Sequence, residues 1–158
     1  KGFSMDVLAY DPYIDRSFAR DNRIKEATFE ELIENSDFIS LHLPLNENTR
    51  NIIDEKAIEK MKQGAVIINT SRGGLLDEKA AYRALKSGKL GGLGLDAFEK
   101  EPPEESPLFE LDNVVATPHI GAHTAEAIEN MGMLAVRNLI DVLSGKECKH
   151  VVNNMIFS

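Results

Sequence analysis

Two short stretches carry side chains whose chemistry invites combination. In NTSRGGLLDEKA, Arg72 follows the apolar run AVIIN at the point where a buried strand would leave the protein interior. In TPHIGAH, Pro118 fixes the backbone just before His119 and forces Thr117 extended, while Gly121 opens space after it. A guanidinium fork in a loop opened by Gly73 and Gly74 suits two-point capture of a carboxylate or an α-keto acid. An imidazole held rigidly suits proton transfer near neutral pH. Glu101, in EKEPP, would fix the tautomer of His119 and stabilise its imidazolium if the fold joins them. Each residue also has a plainer local role. Arginines mostly form surface ion pairs, a lone histidine is commonly structural, and Glu101 shares an acidic stretch with Glu99, Glu104 and Glu105.

The elements that must position these groups alternate along the chain. Apolar, partly β-branched runs occur at MDVLAYD (5–11), DFISLHL (37–43), AVIINT (65–70), GGLGLDAF (91–98) and NVVATPH (113–119). Most are nearly continuous rather than alternating, as in strands covered on both faces of a parallel sheet. Between them, TFEELIENS opens with Thr28 and Glu31 at capping-box spacing, and DEKAAYRALKSGK opens on Asp77 and reaches Gly88 after its last turn. The pattern predicts an α/β fold, a doubly wound parallel sheet with right-handed crossovers. From Thr124 to about Leu143, Ala127, Met131, Leu134, Ala135, Leu139 and Val142 form an apolar stripe of helical period that ends at Ser144 and Gly145. The expected organisation is therefore a sheet domain over 1–123 and a long helix with a polar tail over 124–158.

Ligands of open parallel sheets bind at the carboxyl ends of the strands. There this chain places Asp11 after its first run, His42 in the second, Thr70, Ser71 and Arg72 at the third, Asp96 with Glu101 just beyond at the fourth, and His119 at the fifth. Asp11 before Pro12 has two readings. It is either the start of a turn or the carboxylate that, in a dinucleotide fold, accepts both ribose hydroxyls and repels a 2′-phosphate. His42 reads equally as a satisfied strand-end residue or a cofactor contact. His123 and His150 read as solvated, and no pair of histidines shares helical ligand spacing with an acid, so no metal site is predicted.

Composition narrows the classes further. The 158 residues are 42% hydrophobic and 28% charged, ordinary for one globular domain. Lys and Arg number 18 against 26 Asp and Glu, a net charge of -8 with scattered basic residues, which disfavours nucleic acid as a partner. Single Cys148 permits no internal disulfide, and no apolar stretch approaches the roughly 20 residues of a membrane span, so a cytoplasmic protein without a membrane partner is expected.

Taken together, GFSMDVLAYDPY, SDFISLHLPLNENTRNII, MKQGAVIINTSRGGLLDEKAAYRAL, GGLGLDAFEKEPP and NVVATPHIGAHT resemble the NAD-dependent D-isomer-specific 2-hydroxyacid dehydrogenases over nearly the whole chain. That family includes 3-phosphoglycerate dehydrogenases and glycerate or hydroxypyruvate reductases. The resemblance implies a Rossmann-like fold, NAD as cofactor, a small 2-hydroxy or 2-keto acid as substrate, and a homodimeric full-length enzyme. It implies that Arg72 binds the substrate carboxylate and carbonyl, that His119 donates and accepts the proton, and that Glu101 is its paired acid. It also implies cofactor contacts from Asp11 and Pro12 at the ribose, from His42, Leu43 and Pro44 in one loop, from Thr70, Ser71 and Arg72 near the nicotinamide, and from Asp96, His119 and Gly121. The same fold with the same three residues occurs in corepressors that use NAD to control assembly, so a regulatory module is the alternative.

One departure from the family pattern bears on the fold. The Gly-rich turn and first strand of the family's nucleotide-binding domain precede the point where this sequence opens, on KGFSMDVLAYDP without an initiator methionine. In the strand order 3-2-1-4-5-6 that first strand is central, so the expectation is a gap in the sheet and a segment of a longer enzyme, inactive by itself. The apolar stripe from Thr124, with Met131, Leu134 and Leu139, is expected to promote association.

Overall fold

The computed structural model describes residues 2–103 and 105–152. Each of the five apolar runs contributes a strand: β1 (Val7–Ala9), β3 (Phe38–Leu41), β4 (Ala65–Asn69), β5 (Leu90–Leu95) and β6 (Val114–Ala116). A further strand, β2 (Ile24–Glu26), pairs with β1. Its three residues IKE hold a single apolar side chain, too little for a hydrophobic pattern to reveal. The helices α2 (Phe29–Asn35), α4 (Glu78–Lys86) and α5 (Ala125–Leu143) occupy the segments expected from their caps and periodicity. The short helices α1 (Arg16–Asp21) and α3 (Glu55–Lys60), and a 3-10 turn at Pro107–Glu110, escape a periodicity reading because each spans less than two turns.

Caps set where the helices begin. Thr28 accepts the N–H of Glu31, and Glu31 returns the bond to the Thr28 N–H, a complete capping box for α2. The Thr28 N–H, and then its hydroxyl, bond to Glu31 Oε2 and hold the Glu31 carboxyl below the usual carboxylate range. Asp15, Asp54 and Asp77 each accept N–H groups of the first turn of α1, α3 and α4. Thr124 does the same for α5, whose end is marked by Gly145 at φ 70°.

All strand pairings are parallel, but they form two sheets, β1–β2 and the four-stranded β3–β4–β5–β6. Among the described residues no ladder joins β1 to β3. The division falls where the sequence reading places its gap, and Val7 on β1 and Phe38 on β3 are exposed there. The core lies around the larger sheet. Ile67 of β4 and Leu90 and Leu93 of β5 are buried together with Ile33, Ile53, Leu75, Leu76 and Leu108. Burying side chains of this size contributes about 1.5–3 kcal/mol each relative to exposure.

Register determines which residues meet at the sheet edge. Leu41 pairs with Asn69, Asn69 with Leu95, and Leu95 with Ala116, a single row across four strands. The next residues, His42, Thr70, Asp96 and Thr117, therefore emerge side by side at the carboxyl end. The segment 51–53 runs alongside the start of the loop to α4, with Asn51 N–H donating to the Gly74 carbonyl at 2.7 Å and Ile53 bridged to Leu76. The chain divides into two compact units, one ending at His119 and one starting at Ile120. No helix among the described residues is long and apolar enough to cross a membrane.

Candidate active site

The loop that carries Arg72 is built on a buried amide. Asn69, at the end of β4, is 1% exposed. Its Nδ2 donates to the Arg72 carbonyl at 2.8 Å, and its Oδ1 accepts the Ser71 N–H at 3.1 Å and the Ser71 hydroxyl at 3.0 Å. Three bonds from one desolvated side chain fix the turn over 69–72. Arg72 then projects outward, exposed, and forms no ion pair among the described residues. Its Nη1 donates to the neighbouring Ser71 carbonyl at 2.7 Å. The surface ion-pair role considered for it is thus absent among the described residues.

A second loop approaches the first along the sheet edge. Asp96 is buried directly after β5, where its N–H donates to the Asn69 carbonyl at 2.9 Å. Its Oδ1 accepts the Thr117 hydroxyl at 2.6 Å, while the Thr117 N–H donates to the Leu95 carbonyl at 2.9 Å. The chain then turns sharply through Pro118, and the His119 N–H donates back to the Thr117 carbonyl at 2.9 Å. His119 has φ 54°, in the left-handed region that side chains other than glycine enter at a cost of about 1–3 kcal/mol. That conformation aims the imidazole at Glu101. His119 Nδ1 and Glu101 Oε2 are 2.8 Å apart, and both side chains keep more than a third of their surface in solvent. The conditional pairing of Glu101 with His119 read from the sequence is present.

Glu101 is held at both oxygens. Its Oε1 accepts the Phe98 N–H at 3.0 Å, and its Oε2 faces His119. These two bonds, the Phe98 amide first and His119 second, hold its carboxyl below the usual carboxylate range. Glu101 therefore stays ionised as pH falls through the range where a free glutamate would protonate. In an NMR titration of its side-chain carboxyl, the midpoint should lie below that of a free glutamate. A midpoint at or above it would show that the two bonds do not persist in solution.

The other cofactor candidates divide between places. Asp11 and Pro12 line a cleft of about 700 Å³ with Tyr10, Glu26, Thr28 and Phe29. Asp11 Oδ1 accepts the Tyr13 N–H at 2.8 Å, so the turn role and a ligand role for the other oxygen are compatible. Tyr10 and Phe29 stand with ring centroids 5.7 Å apart and planes tilted 60° to each other, so either ring offers an apolar face. His42 emerges past β3 with Nε2 2.8 Å from Ser40 Oγ, Leu43 packs against the core, and the Pro44 carbonyl accepts the Thr49 hydroxyl at 2.7 Å. Thr70 is exposed in the edge row. Gly121 belongs to the second compact unit.

A model of the D-isomer specific 2-hydroxyacid dehydrogenase NAD-binding domain matches residues 1–121. The chain belongs to this family. Among curated relatives, it is 46% identical over 154 residues to a D-3-phosphoglycerate dehydrogenase of Methanocaldococcus jannaschii, an alignment covering 97% of this chain and 29% of that protein. It is 41% identical over 157 residues to a glyoxylate reductase of Korarchaeum cryptofilum, covering 99% of this chain and 47% of the relative. The fold matches a crystal structure of D-lactate dehydrogenase from Aquifex aeolicus complexed with NAD and lactic acid, with a TM-score of 0.84 at 35% identity over 91% of this chain and 48% of that one. The chain thus spans between 29% and 48% of the length of these proteins.

Three residues outside the sequence-derived set shape the site. Asn69 stands in the quoted NTSRGG stretch, and a polar residue closing an apolar strand was its only signal. Thr117 drew attention as a backbone position, yet its hydroxyl is what holds Asp96. Glu78, the first residue of α4, accepts the Glu99 N–H at 2.8 Å across the two loops. No spacing rule connects positions 21 residues apart in different loops.

Proposed function

We propose that this chain carries the catalytic residues and part of the nucleotide site of an NAD-dependent oxidoreductase that interconverts a D-2-hydroxy acid and its 2-keto acid. The observation that supports this reading best is the His119–Glu101 pair, built on a strained left-handed histidine at the carboxyl edge of a parallel sheet. A hydride is supplied or taken up by NAD(H) when it is bound. The chain's residues do the rest. Arg72 captures the substrate carboxylate and carbonyl through its planar fork, holding the carbonyl carbon in place. In reduction, His119 gives its proton to the carbonyl oxygen as alkoxide character develops, and Glu101 steadies the ring. In oxidation, His119 takes the hydroxyl proton back.

For the cofactor, Asp11 is assigned to the adenosine ribose hydroxyls, with Pro12 shaping the turn beside it. Asp96, fixed by Thr117, is assigned to the nicotinamide amide, and Thr70, Ser71, His42, Leu43, Pro44 and Gly121 to its surroundings. We further propose a cytoplasmic homodimer, a reading supported by the apolar stripe of α5 and the single cysteine. Residues 1–123 form the nucleotide-binding part, and 124–158 the helix and tail directed to the substrate domain.

The test is NADH consumption by the protein as its gene encodes it, with a panel of 2-keto acids. At least one should be reduced, and none reduced would overturn the reading. In the same assay kcat/KM should be at least about tenfold lower with NADPH, because Asp11, Glu26, Glu30 and Glu31 line the cleft where a 2′-phosphate would lie. A preference for NADPH would remove Asp11 from the ribose site.

A further inference from the structure

The turn that carries Glu101 is held from several sides at Phe98 and at the Phe98–Glu99 peptide that follows it. The Phe98 ring is buried and meets Phe109 edge-on, with centroids 5.7 Å apart. The Phe98 N–H donates to Glu101 Oε1, and the Phe98 carbonyl packs so closely on Gly73 that a Cβ there would lie 1.7 Å from its oxygen. On the other side of the same peptide, the Glu99 N–H donates to Glu78 Oε1 at 2.8 Å. Two successive peptides are therefore held, the first by Glu101 through the Phe98 N–H and the second by Glu78 through the Glu99 N–H, and a rotation of the second would break the Glu78 bond and redirect the backbone that leads from Phe98 into Glu101.

Glu78 is costly to keep where it is. It is partly buried, no cation bonds to it among the described residues, and burial pushes its carboxyl up, with the Glu99 amide partly offsetting this. The Glu99 amide and the place of Glu78 on the first turn of α4 partly compensate the charge, so the bond to the Glu99 N–H is what holds the side chain against the second loop. It is also the first residue of α4, the helix that follows the Arg72 loop, and it reaches across to the loop that bears Glu101.

We infer that Glu78 is a positioning residue for the proton-transfer pair, fixing the Phe98–Glu99 peptide and through it the direction in which Glu101 presents its carboxylate to His119. The inference rests on the proposed role of His119 and Glu101. It places one carboxylate in control of a second without touching substrate or cofactor.

The test compares Glu78→Ala, Glu78→Gln and Glu78→Asp in the protein as its gene encodes it. Glu78→Ala should lower kcat about tenfold and change the KM for NADH by less than about twofold. Glu78→Gln, which keeps an acceptor oxygen at the same reach, should stay within about threefold of the parent. Glu78→Asp keeps the charge on the first turn of α4 but falls short of the Glu99 amide, and it should behave like alanine. In a His119→Asn background, Glu78→Ala should add less than about a twofold further loss, because it acts through that pair. Amide exchange at Phe98 and Glu99 should accelerate about tenfold in Glu78→Ala, with Ile67 and Leu93 unchanged.

Full kcat with unchanged exchange would overturn the inference, and so would an equal loss in both backgrounds, the mark of a merely structural residue. If Glu78→Ala fails to fold, Glu78→Asp decides by the same criteria. If His119→Asn itself keeps full turnover, the proton-transfer reading fails separately. Exchange then decides alone: acceleration confined to Phe98 and Glu99 supports positioning by Glu78, and unchanged exchange overturns it.

Discussion

Replacing His119 with asparagine is expected to lower kcat for 2-keto acid reduction by about 10²–10⁴, the range lost when a positioned acid–base group is removed. Asparagine tolerates the left-handed backbone of this position, at φ 54° in the parent, so the loop should keep its course. The NADH affinity should therefore stay within about twofold, and the loss should appear in kcat rather than in cofactor binding. Arg72→Ala should behave differently. Among the described residues its guanidinium bonds the Ser71 carbonyl and no other element, so its removal should raise the KM for the 2-keto acid as well as lower kcat. Measuring kcat and both KM values across pH separates the two roles. Full activity of His119→Asn at every pH would remove the histidine from proton transfer.

What the sequence reveals of the fold follows the range of the forces involved. β4 is legible because AVIIN is an apolar run with one face buried and the other partly covered, and α2 because Thr28 and Glu31 form a capping box through contacts three residues apart. β2 is not, since IKE carries its information in hydrogen bonds to β1 rather than in its side chains. α1 and α3 are each six residues long and depend on one aspartate cap. The two-sheet division is legible only through the family resemblance. Nothing in the residues of β1 or β3 states which strand each will pair with.

The site divides along similar lines. Arg72, Glu101 and His119 stand out because glycine and proline mark their loops as places where the backbone is under control. The distance between Glu101 and His119 is beyond any local rule, since the two lie on turns after different strands and meet only through the parallel register of β5 and β6. The supporting bonds are harder still to foresee. Asn69, Thr117 and Glu78 act by accepting or donating to peptide groups elsewhere, and a peptide group carries no sequence signature.

Gly73→Ala is expected to show how tightly the Arg72 and Glu101 loops are keyed. A Cβ at this position would stand 1.7 Å from the Phe98 oxygen, 2.1 Å from its carbonyl carbon and 2.6 Å from the Glu99 nitrogen. All three are backbone atoms, and that peptide is already fixed by the buried Phe98 ring on one side and the Glu78 carboxylate on the other. The clash therefore cannot be relieved by a side-chain rotation, and one loop must move away from the other. Overpacking of this kind costs about 1–3 kcal/mol and sometimes more, so a value near 3 kcal/mol is expected, which lowers Tm by roughly 6–12 °C in a protein of this size. kcat should fall at least about tenfold, since the displaced peptide adjoins Phe98, whose own N–H holds Glu101. Gly92→Ala provides the comparison. Its Cβ would meet the Asn113 oxygen at 3.5 Å and Val66 at 3.6 Å, ordinary contacts on a neighbouring stretch of β5, and it should change stability by less than about 1 kcal/mol. Thermal unfolding and kcat of the two variants decide the point. A Gly73→Ala protein as stable and as active as Gly92→Ala would mean that the two loops are not in contact through this peptide in solution.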